Sequence, residues 1–300
     1  MENTDNLERL RQFEIPGRVA FACDRVGVAK INVTTGQSMA EIYLLGAHVT
    51  GFQKNGEPPL LFMSRLSRFA AGQPIRGGVP ICFPWFGPRE GGGVHGFARL
   101  TEWELVATGA TPAGVTLCFR LPPTAAGAAW PPFDTEFAVT VSDRLTMELI
   151  TANRSPDRPF EFENCLHTYF AVGDIRQVSL TGLQATPFLD HAAGAVGARR
   201  DGEDSPLCIT KETNRVYLGT AGAVEIHDEN LKRTIRVEKF NSRSTVVWNP
   251  WTTQKMPDDF DPAEHQRMVC VESGNVKQNK LLLPAGRPAA LKVVLSSRPL

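Results

Sequence analysis

Apolar residues recur at every second position through much of this chain. Val115, Leu117 and Phe119 alternate with Thr116, Cys118 and Arg120. Leu145, Met147 and Leu149 alternate with Thr146, Glu148 and Ile150. Phe160 and Phe162 flank Glu161, Ile235 and Val237 flank Arg236, and Leu291, Val293 and Leu295 repeat the pattern near the end. Successive side chains of a strand point to opposite faces, so this period predicts antiparallel strands with one apolar face. Helical periodicity is sparse. Leu7, Leu10 and Arg11 allow a short N-terminal helix, and Asp258 to His265 allow another turn or two. Twenty-six glycines and 22 prolines interrupt the chain as turns between many strands would. The expected class is all-β, a large antiparallel β-sandwich of two sheets.

The stretches Leu121 to Pro132 and His191 to Ser205 read as surface loops or strand connections, with Arg199-Arg200 a solvated pair. Neither is flanked by a change in composition, and no internal repeat is present, so residues 1–300 are expected to form a single domain. Apolar residues make up 42% of the chain, ample for a sizeable core. Lys and Arg total 32 and Asp and Glu total 32. That balance gives no long-range attraction for nucleic acid or an anionic membrane, so any anion site has to be local. The first residues, Met1 to Asp5, are polar and acidic, unlike a signal peptide, and no apolar run approaches the ~18 residues of a membrane span. The six cysteines are scattered without metal-finger spacing. Reduced thiols, a cytoplasmic location and a monomer are the expectations.

The chemistry concentrates in three places. Arg76-Gly77-Gly78-Val79-Pro80-Ile81-Cys82-Phe83-Pro84-Trp85-Phe86-Gly87 runs on to Gly93-Val94-His95-Gly96-Phe97-Ala98-Arg99. An arginine at each end of a loop rich in glycine and aromatic residues can hold an anion against apolar walls, because the planar guanidinium binds phosphate through two donors. His167 lies in Leu166-His167-Thr168-Tyr169-Phe170, and Glu272 closes Met268-Val269-Cys270-Val271-Glu272. Alone, His167 reads as a core histidine satisfied by a carbonyl, Glu272 as an exposed strand-end acid, and Asp190 as a turn residue. Arg76 and Arg99 alone read as partners of nearby acids such as Glu102. Taken together, a histidine and a glutamate at apolar strand ends can have their pKa values moved toward working pH by burial. No phosphate-binding loop of the nucleotide type, no Gly-x-Ser-x-Gly elbow and no metal-ligand histidine spacing is present.

On these motifs the chain resembles the glucose-6-phosphate 1-epimerase, or hexose-6-phosphate mutarotase, family of the galactose mutarotase-like superfamily. Val246-Val247-Trp248-Asn249-Pro250-Trp251 and Cys270-Val271-Glu272-Ser273-Gly274-Asn275 extend the likeness, which covers Arg18 to Leu295. The resemblance implies a supersandwich with sugar bound in a cleft on one sheet. It implies His167 as general acid and Glu272 as general base. It implies Arg76 and Arg99 as substrate-binding residues, Asp190 as a hydroxyl-binding one and His95 as part of the sugar pocket. The family commonly has glutamine before the His-Gly pair, where this chain has Val94, a side chain with no donor or acceptor. The implied activity is anomer interconversion of an aldohexose 6-phosphate, with no metal and no cofactor. A mutarotase for free sugars and a non-catalytic sugar-binding module are the alternatives.

Overall fold

The computed structural model describes residues 7–24 and 26–300, so the acidic start read above lies outside the described residues. A nine-stranded sheet runs in spatial order Leu207–Cys208, Val178–Thr181, Val224–Asp228, Arg233–Phe240, Pro288–Pro299, Leu145–Asn153, Phe133–Val141, Gly114–Arg120 and Glu104–Thr111. An eight-stranded sheet runs Ala198–Arg200, Phe188–Asp190, Thr213–Leu218, Ser244–Asn249, Met268–Asn275, Asn164–Leu166 and Ile81–Cys82, with Tyr169–Ala171 also paired to Met268–Asn275. Pairing in both is antiparallel. A four-stranded meander from Val19–Cys23 to His48–Lys54 and two short two-stranded sheets are additional. The alternation foretold strands but could not sort them into sheets, because period two specifies a strand and not its neighbour.

The alternating residues meet in one core. Leu117, Phe137, Met147, Leu149, Ile235, Val293 and Leu295 of the nine-stranded sheet are all 0% exposed. They share a cluster with Leu166, Phe170, Val247, Val269 and Val271 of the eight-stranded sheet. Every residue of Met268–Asn275 is buried, so the second face of this sheet is covered as well. Val269 and Val271 point into the sandwich core. Cys270 points the other way, into a cluster with Phe62, Tyr169 and Phe260, and Cys82 and Cys165 lie in a third cluster with Val216 and Val246. Glu272 shares that outward face, since side chains two apart in a strand point the same way.

Among the described residues helix is confined to short pieces. Residues 7–10 are helical and run into a 3₁₀ turn at Arg11–Phe13. The expected turn after Asp258 is the 3₁₀ segment Pro262–Arg267, capped by the Asp261 carboxylate, which accepts the Ala263 amide. The His191 to Ser205 stretch holds a short strand, Ala198–Arg200, in which Arg199 and Arg200 are exposed. Among the described residues no helix is long and apolar enough to cross a membrane.

Candidate active site

Glu272 sits in the middle of the eight-stranded sheet rather than at an exposed strand end. It lies opposite Val246 on one side, while Ser273 pairs with Leu166 on the other. The chain leaves the sheet after Leu166, turns at Thr168 and rejoins it at Tyr169, opposite Cys270. That step lifts His167 over the strand and leaves its Nε2 3.3 Å from Oε1 of Glu272. The imidazole stacks on Tyr169 at 4.8 Å, with Trp248 at 6.3 Å and His95 at 5.5 Å edge-on. The other oxygen of Glu272 accepts the Cys165 thiol at 3.7 Å.

The glycine-bearing loop is shaped by close approaches. A side chain at Gly78 (φ 58°) would come within 2.3 Å of the Val49 carbonyl oxygen, and one at Gly96 (φ 74°) within 1.9 Å of that of Phe83. Only glycine fits either place. Between them His95 clamps Gly87 in both directions. Its amide donates to the Gly87 carbonyl at 2.9 Å, and its Nδ1 accepts the Gly87 amide at 3.1 Å. Nδ1 is therefore the bare nitrogen and Nε2 carries the proton. Arg99 is 8% exposed, donates from Nη2 to the Val94 carbonyl at 2.7 Å, and leaves Nε buried without a partner among the described residues. Val94 thus supplies a backbone anchor for Arg99, while its side chain, 47% exposed, lines the mouth.

These elements enclose a cavity of about 600 Å³, within the range of small-ligand sites. Arg76, His95, Arg99, His167 and Glu272 all lie on its wall, although they come from stretches up to 196 residues apart in sequence (76 to 272). Asp190 does not. It ends its strand, and its Oδ1 accepts the Ala192 amide at 3.1 Å, while the next residue, His191, is on the wall. Residues 29–296 match the aldose 1-epimerase family model. The chain belongs to the aldose 1-epimerase family. It is 34% identical over 272 residues to a protein of Cenchrus ciliaris provisionally named glucose-6-phosphate 1-epimerase, covering 87% of this chain and 82% of that one. A like-named protein of Escherichia coli K12 is 34% identical over 252 residues, covering 81% and 82%. A crystal structure of a provisional mutarotase from Salmonella typhimurium superposes with a TM-score of 0.84 at 29% identity, over 98% of this chain and 100% of that one. A galactose 1-epimerase from Lactobacillus acidophilus, at 12% identity, shares the fold with a TM-score of 0.71 over 94% and 99%.

In this member of the aldose 1-epimerase family, burial dominates the electrostatics of the pair. It pushes Glu272 well above the usual carboxylate range, opposed by the Cys165 hydrogen bond and the Arg99 charge. It pushes His167 down to about 3, and Arg99 adds to the fall. His95 goes well below its usual value for the same first reason, with His167, Arg99, Lys277 and Arg76 contributing. These shifts favour a carboxylic acid beside a neutral imidazole, with one proton to share across 3.3 Å. The ligand atoms of His167, Cys270 and Glu272 lie within 4.8 Å of one another, a loose grouping for a metal. Burial holds the Cys270 thiol well above its usual pKa, which disfavours the thiolate a metal requires.

Sequence reasoning gave no role to three residues that build the site. Asp259 accepts the Arg76 Nε–H with both carboxylate oxygens at 3.0 Å, an acid 183 residues away in the chain. Lys277, with φ 57°, lines the cavity, and its Nζ lies 5.9 Å from the Phe86 ring centroid with no carboxylate partner among the described residues. Glu163 accepts the amides of Phe86 at 2.9 Å and Lys277 at 2.6 Å, tying both cavity loops together. These partners are 77 to 183 residues apart, a separation no local motif announces.

Proposed function

We propose that this protein interconverts the α and β anomers of an aldohexose 6-phosphate, glucose 6-phosphate being the first substrate to test. The observation that carries the reading is the 3.3 Å contact between His167 Nε2 and Glu272 Oε1 at the floor of a cavity walled by cations and aromatic rings. Glu272 takes the proton of the anomeric hydroxyl while His167 gives one to the ring oxygen. The C1–O5 bond breaks, and its electron pair goes to O5. The aldehyde that forms turns about C1–C2, and the same two groups close the ring on the other carbonyl face. The proton count of the pair suits this. Moving the shared proton from Glu272 to His167 creates the carboxylate base and the imidazolium acid without drawing on solvent. Burial opposes that charge separation, and a phosphate dianion arriving on the imidazole side offsets it.

The phosphate assignment rests on charge placement. Arg76, Arg99 and Lys277 line the cavity of a chain whose formal net charge is zero, and Glu272, the one acid on the wall among the described residues, is pushed toward its neutral form. C6 hangs from C5, on the far side of the ring oxygen from C1. A sugar with O1 at Glu272 and O5 at His167 therefore places its phosphate beyond His167. Arg76 is the candidate there, because it lines the cavity and its two Nη groups have no protein partner among the described residues. The test compares Arg76→Ala and Arg99→Ala on glucose 6-phosphate and glucose by polarimetry. Loss of a charge-assisted contact of ~1.5–3 kcal/mol should lower kcat/KM for the phosphorylated sugar roughly ten- to hundredfold, and less for the free one. A wild type without preference, or variants with an unchanged ratio, would return the reading to a mutarotase for free sugars.

A further inference from the structure

Arg76 is held in an unusual way for a residue that meets a ligand. Its Nε–H is shared between both oxygens of Asp259 at 3.0 Å each. Its two Nη groups have no protein partner among the described residues, and its side chain lines the cavity. Its backbone is fixed as well. The Arg76 amide donates to Ser67 Oγ at 2.8 Å, and its carbonyl accepts the Ser64 amide at 3.0 Å. Asp259 itself is 6% exposed. It precedes Phe260, which is 1% exposed and packs against Phe62 and Trp248, so the carboxylate has a rigid seat.

An acid beside a cavity that has to hold an anion subtracts from its attraction, so charge alone gives it no purpose there. Geometry does. A guanidinium offers two paired edges, one through Nε and an Nη and one through both Nη groups. Asp259 occupies Nε and leaves the end-on edge without a protein partner among the described residues. We propose that Asp259 is the positioning residue that aims Arg76 at the substrate's phosphate and so sets the preference for phosphorylated over free sugar. This rests on the anomer-interconversion reading above. Arg99 and Lys277 supply the remaining charge, and Asp259 supplies the direction.

The experiment measures the dissociation constant of inorganic phosphate by calorimetry, and kcat/KM for glucose 6-phosphate and glucose. It uses the wild type, Asp259→Ala, Asp259→Asn, Arg76→Ala and the Asp259→Ala/Arg76→Ala double variant. Freeing one long side chain that binding has to immobilise again costs about three- to tenfold in affinity, so Asp259→Ala should weaken phosphate and lower kcat/KM for the phosphorylated sugar by about tenfold. KM should carry the loss, and the value for free glucose should fall at most about threefold. Asp259→Asn keeps an oxygen for Nε–H and removes the competing charge, so it should bind phosphate at least as tightly as the wild type. In the Arg76→Ala background, removal of Asp259 should add nothing. Tighter phosphate binding by Asp259→Ala would show that the carboxylate is only a competing charge and overturn the proposal. Equal losses for both sugars with a lowered melting temperature, or additive losses in the double variant, would overturn it too. The wild-type arms test the reading itself, through anomer interconversion and phosphate binding, and the variant arms test the positioning.

Discussion

Replacing Glu272 by glutamine separates chemistry from architecture at this site. The residue is 1% exposed on a strand paired on both sides, and burial pushes its carboxyl toward the protonated form. Glutamine therefore swaps one neutral buried group for another of the same shape. Its amide oxygen can still accept the Cys165 thiol, and its NH₂ can donate to the bare imidazole nitrogen that faces it at 3.3 Å. The stability change should stay under ~1 kcal/mol, about 2 °C in melting temperature for a chain of this size. Catalysis should suffer far more. An amide cannot accept the hydroxyl proton, and a positioned base contributes ~10²–10⁴-fold. That equals ~2.7–5.5 kcal/mol of barrier at 1.36 kcal/mol per tenfold. The assay follows the optical rotation of a freshly dissolved pure anomer, with the spontaneous rate subtracted. A residual rate above a tenth of the wild type would remove Glu272 from the proton path. A melting temperature lower by ~6 °C or more would refute the neutral resting state, because breaking a buried ionised pair costs ~3–5 kcal/mol.

Two further outcomes follow from burial and backbone geometry. His48 is fully buried, its Nε2–H donates to the Gly77 carbonyl at 2.8 Å, and burial holds its pKa at about 4 against an ordinary 6.5. Between those values the unfolded chain binds the extra proton, so stability should fall as pH drops from 6.5 toward 4, by about 3 kcal/mol from this group. His48→Gln, which does not titrate, should flatten that slope, and a melting profile as steep as the wild type's would count against this account. Gly96→Ala would place a methyl 1.9 Å from the Phe83 carbonyl oxygen, whereas Gly91→Ala meets nothing within 4 Å. The first should cost over ~4 kcal/mol or prevent folding and the second about 1 kcal/mol, with equal melting temperatures the contrary result.

Much of the molecule was legible in the chain. The period-two runs around Leu117, Met147, Ile235 and Val293 foretold strands and core, because burial of one strand face depends only on local alternation. The glycine- and aromatic-rich run from Arg76 to Arg99 stood out in the sequence, and its two flanking arginines, with His167 and Glu272, belong to one cavity. Asp190 was singled out by resemblance, and its side chain serves a turn just behind the wall.

What the sequence by itself determined is therefore the local part: which segments are strands, which residues are apolar on one face, and which side chains carry chemistry. The tertiary structure alone decided the rest. It brought His167 to 3.3 Å from Glu272, gave Arg76 the carboxylate of Asp259, and set Lys277 against Phe86 through Glu163. It also shifted protonation, since burial to 1% exposure pushes the pKa of the same glutamate well above its range in water. Each of these depends on groups far apart in the chain and on solvent excluded by the whole fold, and neither quantity is written in any single segment.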